Sequence, residues 1–477
     1  MEKLRYKIEE DRLEPKEIVE IVDGYKDNVV PEVRLKTEYS KGNNPTILER
    51  VLPQGSPQNK LPVPYGRRIV NLVTSYMYLP GLVTYGSKTN QAYFDKLKQI
   101  FDYNKEDLET YKIGWQTTVQ GVGYEIFYVE GIGPELTAID HKIGYRGTMP
   151  RFVKVPVEET IPIYNFDIIP ELQAFIRFYT EGEDDNDIEH IHVYYSDVVE
   201  EYVRDNTQKG RQGLSLVGEQ PHGFDRPPLV VYENNEDMIG DFAAVVPLIN
   251  AYDVLMSDSM NEFDRFAQAY LVAKGFTITE EEAEKMKYSR AFSLLNPEDS
   301  LEFLTKPIEV DFIKHQAEEL RAEIHRGSGI PNLDDYKWGS NASGETLDKW
   351  IYLMELFTGI KEAYFKEGLR KRIEMITTYM GLTDDPADID VVMNRNDPDK
   401  SMLLADLMEK YTGHVSDQTL LENFADFVDD VEEELARLKE EQQEKAEVDL
   451  DRFEARTKAG GLNKEEDEEE KDEEEEE

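Results

Sequence analysis

Two small sets of side chains have types and spacing that could do chemistry. Asp334 and Asp335 are adjacent carboxylates, of the kind that hold paired Mg²⁺ ions in nucleases and phosphotransferases. His190 and His192 are two residues apart in a strand-like run, so their imidazoles would share one face and form half of a metal site. No further acids converge on the Asp pair at a clear spacing, and a His pair without a third ligand is typical of a surface. We predict no metal and no catalytic residue, and keep a metal-dependent nuclease as an alternative.

Nucleotide chemistry has less support still. Gly121 and Gly123 precede a strand, whereas the glycines of a phosphate-binding fingerprint lie between a strand and a helix. The sequence contains no Gly-x-x-x-x-Gly-Lys-Ser/Thr loop and no cysteine that could act as a nucleophile. We therefore expect a protein that is not an enzyme and needs no cofactor.

The net charge limits how this protein could meet nucleic acid. Its 100 acidic and 54 basic side chains give a formal net charge of −46. Tight DNA binding normally needs a basic surface, so this chain should let DNA pass rather than hold it. Residues 464–477 include twelve acidic side chains, whose mutual repulsion predicts a disordered tail. An acidic scaffold or chaperone that binds basic partners through this tail is a second alternative, and acidity that only keeps a large assembly soluble explains the charge equally well.

Length and hydropathy patterns predict an α+β protein of two to four modules. Residues 1 to 60 contain a segment rich in proline and glycine, at 45–61, which indicates a mobile arm. No apolar run of about 18 residues could span a bilayer, and the first seven residues lack the apolar core of a signal peptide, so we expect a soluble protein with no membrane partner. Apolar spacing predicts helices at 14–22, 65–79, 90–101 and from 104, and period-two alternation predicts an antiparallel sheet between 123 and 232.

A helical hairpin with a folded tip follows this sheet. We predict a long helix at 241–270, a small insertion with strands at 270–276, 291–295 and 300–304, and a second helix at 311–325. Asp253, Asp258, Asn261, Glu262 and Arg265 are expected to cover much of the rest of the first helix. Its apolar stripe should consist of Val245, Leu248, Ile249, Tyr252, Leu255, Met256, Phe263 and Phe266.

A short polar loop separates the second of these helices from another long one. The turn-rich residues 326–332 should end the first helix, and the next helix should run from Glu345 to about Met380. Glycine, asparagine and serine lie at the tip of the segment between them. Two rigid helices can hold such a loop out into space.

The order of several short motifs over residues 40 to 440 resembles the portal proteins of tailed bacteriophages, in particular the family of long-tailed phages of Gram-positive hosts. No single motif is decisive, but their shared order is hard to obtain by chance. The landmarks are residues 67–70, 78–81, 121–125, 232–235, 248–253, 257–258, 330–332, 341–344 and 394–398.

The resemblance implies a ring-forming, portal-type α+β subunit with an α/β wing, stem helices, a small α/β clip, a tunnel loop and helix, and a helical crown. The implied parts are an N-terminal arm at 1–60, the wing at 61–240 with a strand at 388–397, stem helices at 241–269 and 310–334, the clip at 270–309, the tunnel loop at 335–344, the long tunnel and wing helix at 345–387, the crown at 398–445 and an acidic tail at 446–477.

The resemblance also implies a function and partners. Proteins of this family form a ring at one vertex of the virion capsid, twelve-fold there and twelve- or thirteen-fold in isolation, assembled in the host cytoplasm. Double-stranded DNA is packaged and ejected through the ring without sequence specificity. The expected partners are copies of the chain itself, the terminase that supplies the ATPase, the major capsid and scaffolding proteins, and a head-completion adaptor.

Two groups of residues receive roles from the resemblance. The tunnel loop would face passing DNA, with Lys337 offering a cation to phosphate and Trp338 packing on a neighbour or anchoring the next helix. The acidic clip would dock terminase and adaptor. The loop residues are Tyr336, Lys337, Trp338, Gly339, Ser340, Asn341, Ser343 and Gly344, and the clip residues are Glu280, Glu281, Glu282, Glu284 and Lys285.

Overall fold

The structure is a computed structural model of the 477-residue chain. It describes residues 3–8, 12–87, 89–131, 148–181, 188–205, 213–267, 270–275, 277–281, 298, 300–304, 310–332, 344–396 and 434–439. The chain divides into two compact units, Met1–Asn396 and Asp397–Glu477. In the second unit the described residues, 434–439, are helical. No helix among the described residues is long and apolar enough to cross a membrane.

Nine helices and thirteen strands lie in the described part of the first unit. The helices are α1 (Pro15–Asn28), α2 (Val30–Lys41), α3 (Pro45–Leu48), α4 (Tyr65–Met77), α5 (Gln91–Asn104), α6 (Glu106–Gln120), α7 (Val246–Ala267), α8 (Val310–Ser328) and α9 (Gly344–Tyr379). The strands are β1 (Leu4–Arg5), β2 (Val83–Ser87), β3 (Val122–Gly131), β4 (Thr148–Val155), β5 (Thr160–Tyr164), β6 (Leu172–Glu181), β7 (Ile188–Tyr194), β8 (Val198–Asp205), β9 (Leu214–Pro221), β10 (Leu229–Glu233), β11 (Tyr270–Lys274), β12 (Ser300–Leu304) and β13 (Ile389–Met393).

The largest sheet has the strand order β1-β5-β6-β7-β8-β9. Its strands pair antiparallel, except that β1 runs parallel to β5. One face packs against α1 in a core that contains Ile18, Val22, Ile161, Ile176 and Ile191. Residues 161, 163, 174, 176, 191 and 193 point to this face because side chains alternate along a strand.

The main core is enclosed by helices and by the small sheet β10-β3-β4. Helix α9 lies along β10, and α6 packs on β3. Ile69, Val73, Ile113, Leu369 and Ile373 are fully buried in this core. Strand β13 returns after α9 and pairs antiparallel with β2, while β11 and β12 pair with each other between α7 and α8.

Most of the predicted elements are confirmed. Helices α4, α5, α6, α8 and α9 and strands β3, β6, β11 and β12 lie where the patterns predict them, within a few residues, and β13 lies where the resemblance implies a strand. Helix α7 begins at Val246 and not at Asp241, since a turn and a 3₁₀ segment precede it. The sequence reading missed α2 and interpreted its region as part of a mobile arm, whereas Val30, Val33 and Tyr39 of this helix are buried.

A buried ion cluster joins helix α9 to strand β3 and helix α6. The Arg372 guanidinium on α9 donates to both carboxylate oxygens of Glu125 on β3, at 2.9 and 2.8 Å, and to Glu106 on α6 at 2.5 Å. Tyr232 of β10 donates to Glu125 at 2.8 Å. All three charged side chains are almost completely inaccessible to solvent. Because a buried charge without a partner is costly, the two carboxylates depend on this arginine.

We predict that Arg372→Ala lowers the free energy of unfolding by about 3–5 kcal/mol, since it leaves two buried carboxylates without their cation. Arg370→Ala, two residues away on the same helix but exposed, should change it by less than about 0.5 kcal/mol. Urea unfolding of the two variants measures the difference. Equal effects would show that the buried cluster contributes no more than a surface ion pair.

Candidate functional site

The candidate site is the segment that separates α8 from α9. Asp334, Asp335, Tyr336, Lys337, Trp338, Gly339, Ser340, Asn341 and Ser343 lie outside the described residues, and Gly344 is the first residue of α9. The structure does describe the residues on either side of it, up to Asn332 and from Gly344. Whether these side chains face DNA therefore stays a prediction.

A tight turn at residues 329–332 ends α8 and directs the chain into the segment. Gly329 has a φ of +68°, and a Cβ atom there would meet the Phe357 ring at 3.1 Å. The Ile330 side chain is buried in the main core, and a ring nitrogen of His325 lies 3.1 Å from the Ile330 carbonyl oxygen. Backbone conformation and packing on α9 therefore fix the direction in which the segment leaves α8.

Two open cavities flank this turn. One, of about 440 Å³, is lined by α4 residues, including Tyr65 and Arg68, and by His325, Ile330 and Pro331. The other, of about 710 Å³, is lined by the same turn together with Leu353, Leu356 and Phe357 of α9. The turn thus has open space on both sides in a single subunit.

A ladder of polar side chains attaches the extended residues 59–63 to α7. Asp253 accepts from the Val63 N–H at 3.0 Å, Ser257 from the Leu61 N–H at 2.9 Å, and Asn261 from the Asn59 N–H at 2.8 Å. Four helical residues advance about 6 Å and two extended residues about 6.6 Å, so the two spacings match. The segment is consequently held along the helix.

The ladder corrects two parts of the sequence interpretation. Asp253 and Asn261, expected on the exposed side of the helix, are buried, and Phe263 of the predicted apolar stripe is exposed. The segment expected to be a mobile arm is also bound at Asn44, which donates to Asp253 at 2.7 Å, and at Arg50, which forms a bidentate pair with Asp258. Burial raises the pKa of Asp253 above its ordinary value, against the lowering effect of its two donors.

A buried pair joins α9 to the start of α7. The Lys361 ammonium donates to Asp241, and both side chains are almost fully inaccessible. Asn234 donates to Asp241 at 2.7 Å and to the Ile239 carbonyl at 2.8 Å. Burial lowers the pKa of Lys361, although Asp241 opposes this. The pair links the long helix to the turn that precedes α7.

One face of α9 near the candidate segment is apolar and exposed. Tyr352, Leu353, Leu356 and Ile360 each expose more than half of their surface. Spacings of three and four residues place them on one side of the helix. We call these four residues the α9 face.

The predicted clip site is described only in part. Glu280 and Glu281 are exposed, in a short helical stretch after β11, whereas Glu282, Glu284 and Lys285 lie outside the described residues. Strands β11 and β12 pair in the register Tyr270↔Leu304 to Lys274↔Ser300. A role in docking a partner stays a prediction.

His190 and His192 do lie on one face of strand β7, as their spacing predicts. They pack with aromatic rings: His190 stacks on Tyr179 with centroids 5.1 Å apart, and His192 meets the same ring edge-on at 5.6 Å. Glu181 is 3.1 Å from His190. Among the described residues, no group of three or more potential ligands could hold a metal ion.

Comparison with known proteins identifies close relatives in sequence. The model of the family described as phage portal protein, SPP1 Gp6-like, matches residues 23–448. The portal protein of Bacillus phage SPP1 is 25% identical over 318 residues, which is 62% of each chain. The portal protein of Clostridium phage phiCD119 is 28% identical over 293 residues, 58% of this chain and 64% of its own. The chain thus spans less than two-thirds of the length of either relative.

The solved structures that the comparison matches to this chain come from gene transfer agent particles. A chain from the neck of the native particle, computed with C12 symmetry, is 15% identical, with a TM-score of 0.43 over 75% of this chain and 88% of its own. A chain from the neck of the empty particle, computed with C6 symmetry, is 14% identical, with a TM-score of 0.43 over 74% and 87%.

We predict opposite effects for two glycine substitutions near the segment. Gly329→Ala should lower the free energy of unfolding by about 1–2 kcal/mol, because a left-handed backbone disfavours a Cβ atom and Phe357 would have to move. Gly359→Ala should raise it by about 0.5–1 kcal/mol, since that residue is within a helix and a Cβ there meets nothing within 4 Å. Thermal or urea unfolding compares them, and a stabilising Gly329→Ala would contradict the fixed turn.

Proposed function

The chain belongs to the phage portal protein family, SPP1 Gp6-like, and we propose that it forms a closed ring at one capsid vertex through which double-stranded DNA is packaged and ejected. In this proposal it is a structural component of the virion, assembled in the host cytoplasm, and not an enzyme. The domain boundaries predicted from the sequence are part of the proposal: arm, wing, stem, clip, tunnel loop and helix, crown and acidic tail.

The observation that best supports a ring is the α9 face. Contiguous apolar surface that a lone subunit leaves in water is typical of an interaction site, and burial against a neighbour would stabilise the assembly by roughly 25 cal/mol per Å². A contact between two different surfaces of one chain repeats around an axis and closes into a ring when the rotation allows. The large cavity beside Leu353 and Leu356 leaves room for a neighbour.

The charge supports passage of DNA without tight binding. At −46 per copy, twelve copies carry a formal charge on the order of −550 before counterions. A channel wall with this charge repels phosphate, so DNA would contact the ring only at a few basic side chains. Lys337 in the tunnel loop would be the contact in each subunit, positioned by the turn at Gly329 and by α9.

Partners follow from the same proposal. The sequence holds no phosphate-binding loop, so a terminase would supply the energy for packaging, and it would dock at the clip together with head-completion adaptors. Glu280 and Glu281 are exposed there and can complement a basic partner surface. Major capsid and scaffolding proteins would surround the ring.

We predict that Leu356→Asp prevents ring formation, because a carboxylate in the subunit contact would be buried without a partner. Lys371→Asp places the same side chain on an exposed polar part of α9 and should leave rings intact. Negative-stain electron microscopy with light scattering for mass distinguishes rings from monomers. If both variants form rings, the α9 face is not part of the contact between subunits. If the unmodified chain stays monomeric, the proposed function is wrong.

We also predict that Lys337→Ala reduces DNA packaged or retained per particle while rings still form, since it removes one phosphate contact per subunit without touching the described core. Lys366→Ala is the matched control: it also removes one cation, but one that pairs with Glu362 on α9. Quantitative DNA measurement on assembled particles reads out the effect. If both variants lose the same amount of DNA per particle, the loss is due to the change in charge and not to the loop.

A further inference from the structure

A cavity of about 480 Å³ is lined by strands of both the six-stranded and the three-stranded sheet. Helix α1 and residues 3–6, which include strand β1, form the rest of its wall. Mostly apolar cavities of this size that contain a few polar groups are typical of small-molecule sites. The apolar part of the wall includes Ile21, Val122, Ile161, Pro162, Val231 and Met238.

Helix α1 leaves this cavity open at a glycine. Its residues Glu17, Ile21, Gly24 and Asn28 line the cavity and are three or four positions apart, so they lie on one face of the helix. A Cβ atom at Gly24 would meet nothing within 4 Å. Glycine inside a helix is destabilising relative to alanine. The chain therefore has its weakest helix former at the position where a larger side chain would fill the cavity.

A second feature that indicates a ligand is the hydroxyl group of Tyr164. This tyrosine lines the cavity and exposes only 6% of its surface. Its hydroxyl has no hydrogen-bond partner among the described residues. The other phenols differ, since Tyr6 donates to Glu17 at 2.6 Å and Tyr25 donates to a backbone carbonyl at 2.7 Å. Buried polar groups are nearly always hydrogen-bonded, so an acceptor on a molecule in the cavity would supply the missing partner.

The charges beside the cavity favour a neutral occupant. Lys3 at its edge forms an ion pair with Glu233 at 2.8 Å. Burial, together with the nearby Tyr124 and Glu233, raises the pKa of Tyr164 above its ordinary value. The phenol therefore stays protonated at neutral pH and can donate a hydrogen bond. An anion next to it would be repelled by Glu233.

We propose that this cavity binds a neutral aromatic molecule of about two or three rings that carries one carbonyl or hydroxyl oxygen. An engineered apolar cavity of about 150 Å³ holds one benzene molecule, so this cavity has room for more than one ring. The ligand oxygen accepts from the Tyr164 hydroxyl, and its rings pack on Ile161, Val231 and Met238. The site goes beyond the proposed function and does not require a ring of subunits.

Prodan, a neutral naphthalene ketone whose fluorescence moves to shorter wavelength in apolar surroundings, is a suitable probe. It should bind the unmodified full-length chain at a single site per subunit. Gly24→Leu should fill the cavity and weaken this binding by roughly tenfold or more. Gly359→Leu is the matched control, because Gly359 is also a helical glycine whose added Cβ meets nothing within 4 Å. It lies on α9, away from the cavity, and should leave the affinity unchanged.

Tyr164→Phe tests the hydrogen bond separately, and it decides the question if Gly24→Leu does not fold. The affinity for prodan should fall roughly three- to tenfold with the loss of one hydrogen bond. Urea unfolding without the probe should show unchanged or higher stability, since the hydroxyl has no partner among the described residues. Tyr128→Phe, at an exposed position of β3, should change neither quantity.

Three results would overturn the site. The first is that the unmodified chain does not bind prodan. The second is binding that survives Gly24→Leu and Tyr164→Phe but is lost in Gly359→Leu, which would place the probe on the α9 face. The third is binding by single subunits that disappears when they assemble, which would show that a neighbouring copy fills the cavity. The first two measurements need no rings, so a failure of the proposed function leaves them unaffected.

Discussion

The buried guanidinium of Arg372 is the interaction on which the position of the long helix depends. It is the point at which α9, α6 and β3 share hydrogen bonds, and apolar packing between these elements does not by itself fix a helix along its own axis. Removing charged groups from water is costly, and a buried ion pair seldom adds net stability over a well-packed apolar substitute. What it adds is a single register: Glu125 accepts two bonds from one guanidinium, and a one-turn slide of α9 would break both.

The same helix is restrained at its middle by a second buried ion pair. Lys361, about three turns before Arg372, is buried against Asp241 at the start of α7. Between these two points Gly368 lies so close to the Tyr232 ring that a Cβ atom would come within 2.3 Å of it. Helix α9 is therefore fixed by two ion clusters and a close contact on one side. The exposed α9 face is thereby positioned relative to β3, β10 and α6, although its four residues do not contribute to the core.

Local patterns in the sequence were sufficient to predict elements but not the polar contacts that align them. Helix α9 was predicted from the turn-rich and polar residues before it, whereas strand β13 was implied by the resemblance. Helix α2 was missed because its apolar residues are few, yet Pro31 at its first turn and Gly42 beyond its end, with a φ of +91°, are the ordinary start and stop signals of a helix.

The polar ladder on α7 could not be predicted in this way. Asp253, Ser257 and Asn261 have the spacing of a solvated helix face, and their partners are backbone groups about 200 residues earlier in the chain. Arg372 likewise stands among Arg370, Lys371 and Glu367, which are exposed. A weak signal was present at Glu125, an acid that lies between the apolar residues Tyr124 and Ile126 of strand β3. The loop residues, from Tyr336 to Ser343, received their roles from the resemblance, so those roles have to be tested by experiment.

Assembly of this chain must overcome strong repulsion between copies. Each carries a formal charge of −46, and at physiological ionic strength charges more than about 8 Å apart are largely screened, so the repulsion acts mainly where acidic surfaces come close. Among the exposed apolar side chains of the described residues, two groups lie on α9 and at the β5–β6 turn. Close contact confined to such apolar patches lets copies associate while most acidic surfaces stay apart. The remaining acidic surface then keeps other contacts weak, which favours one mode of association over aggregation.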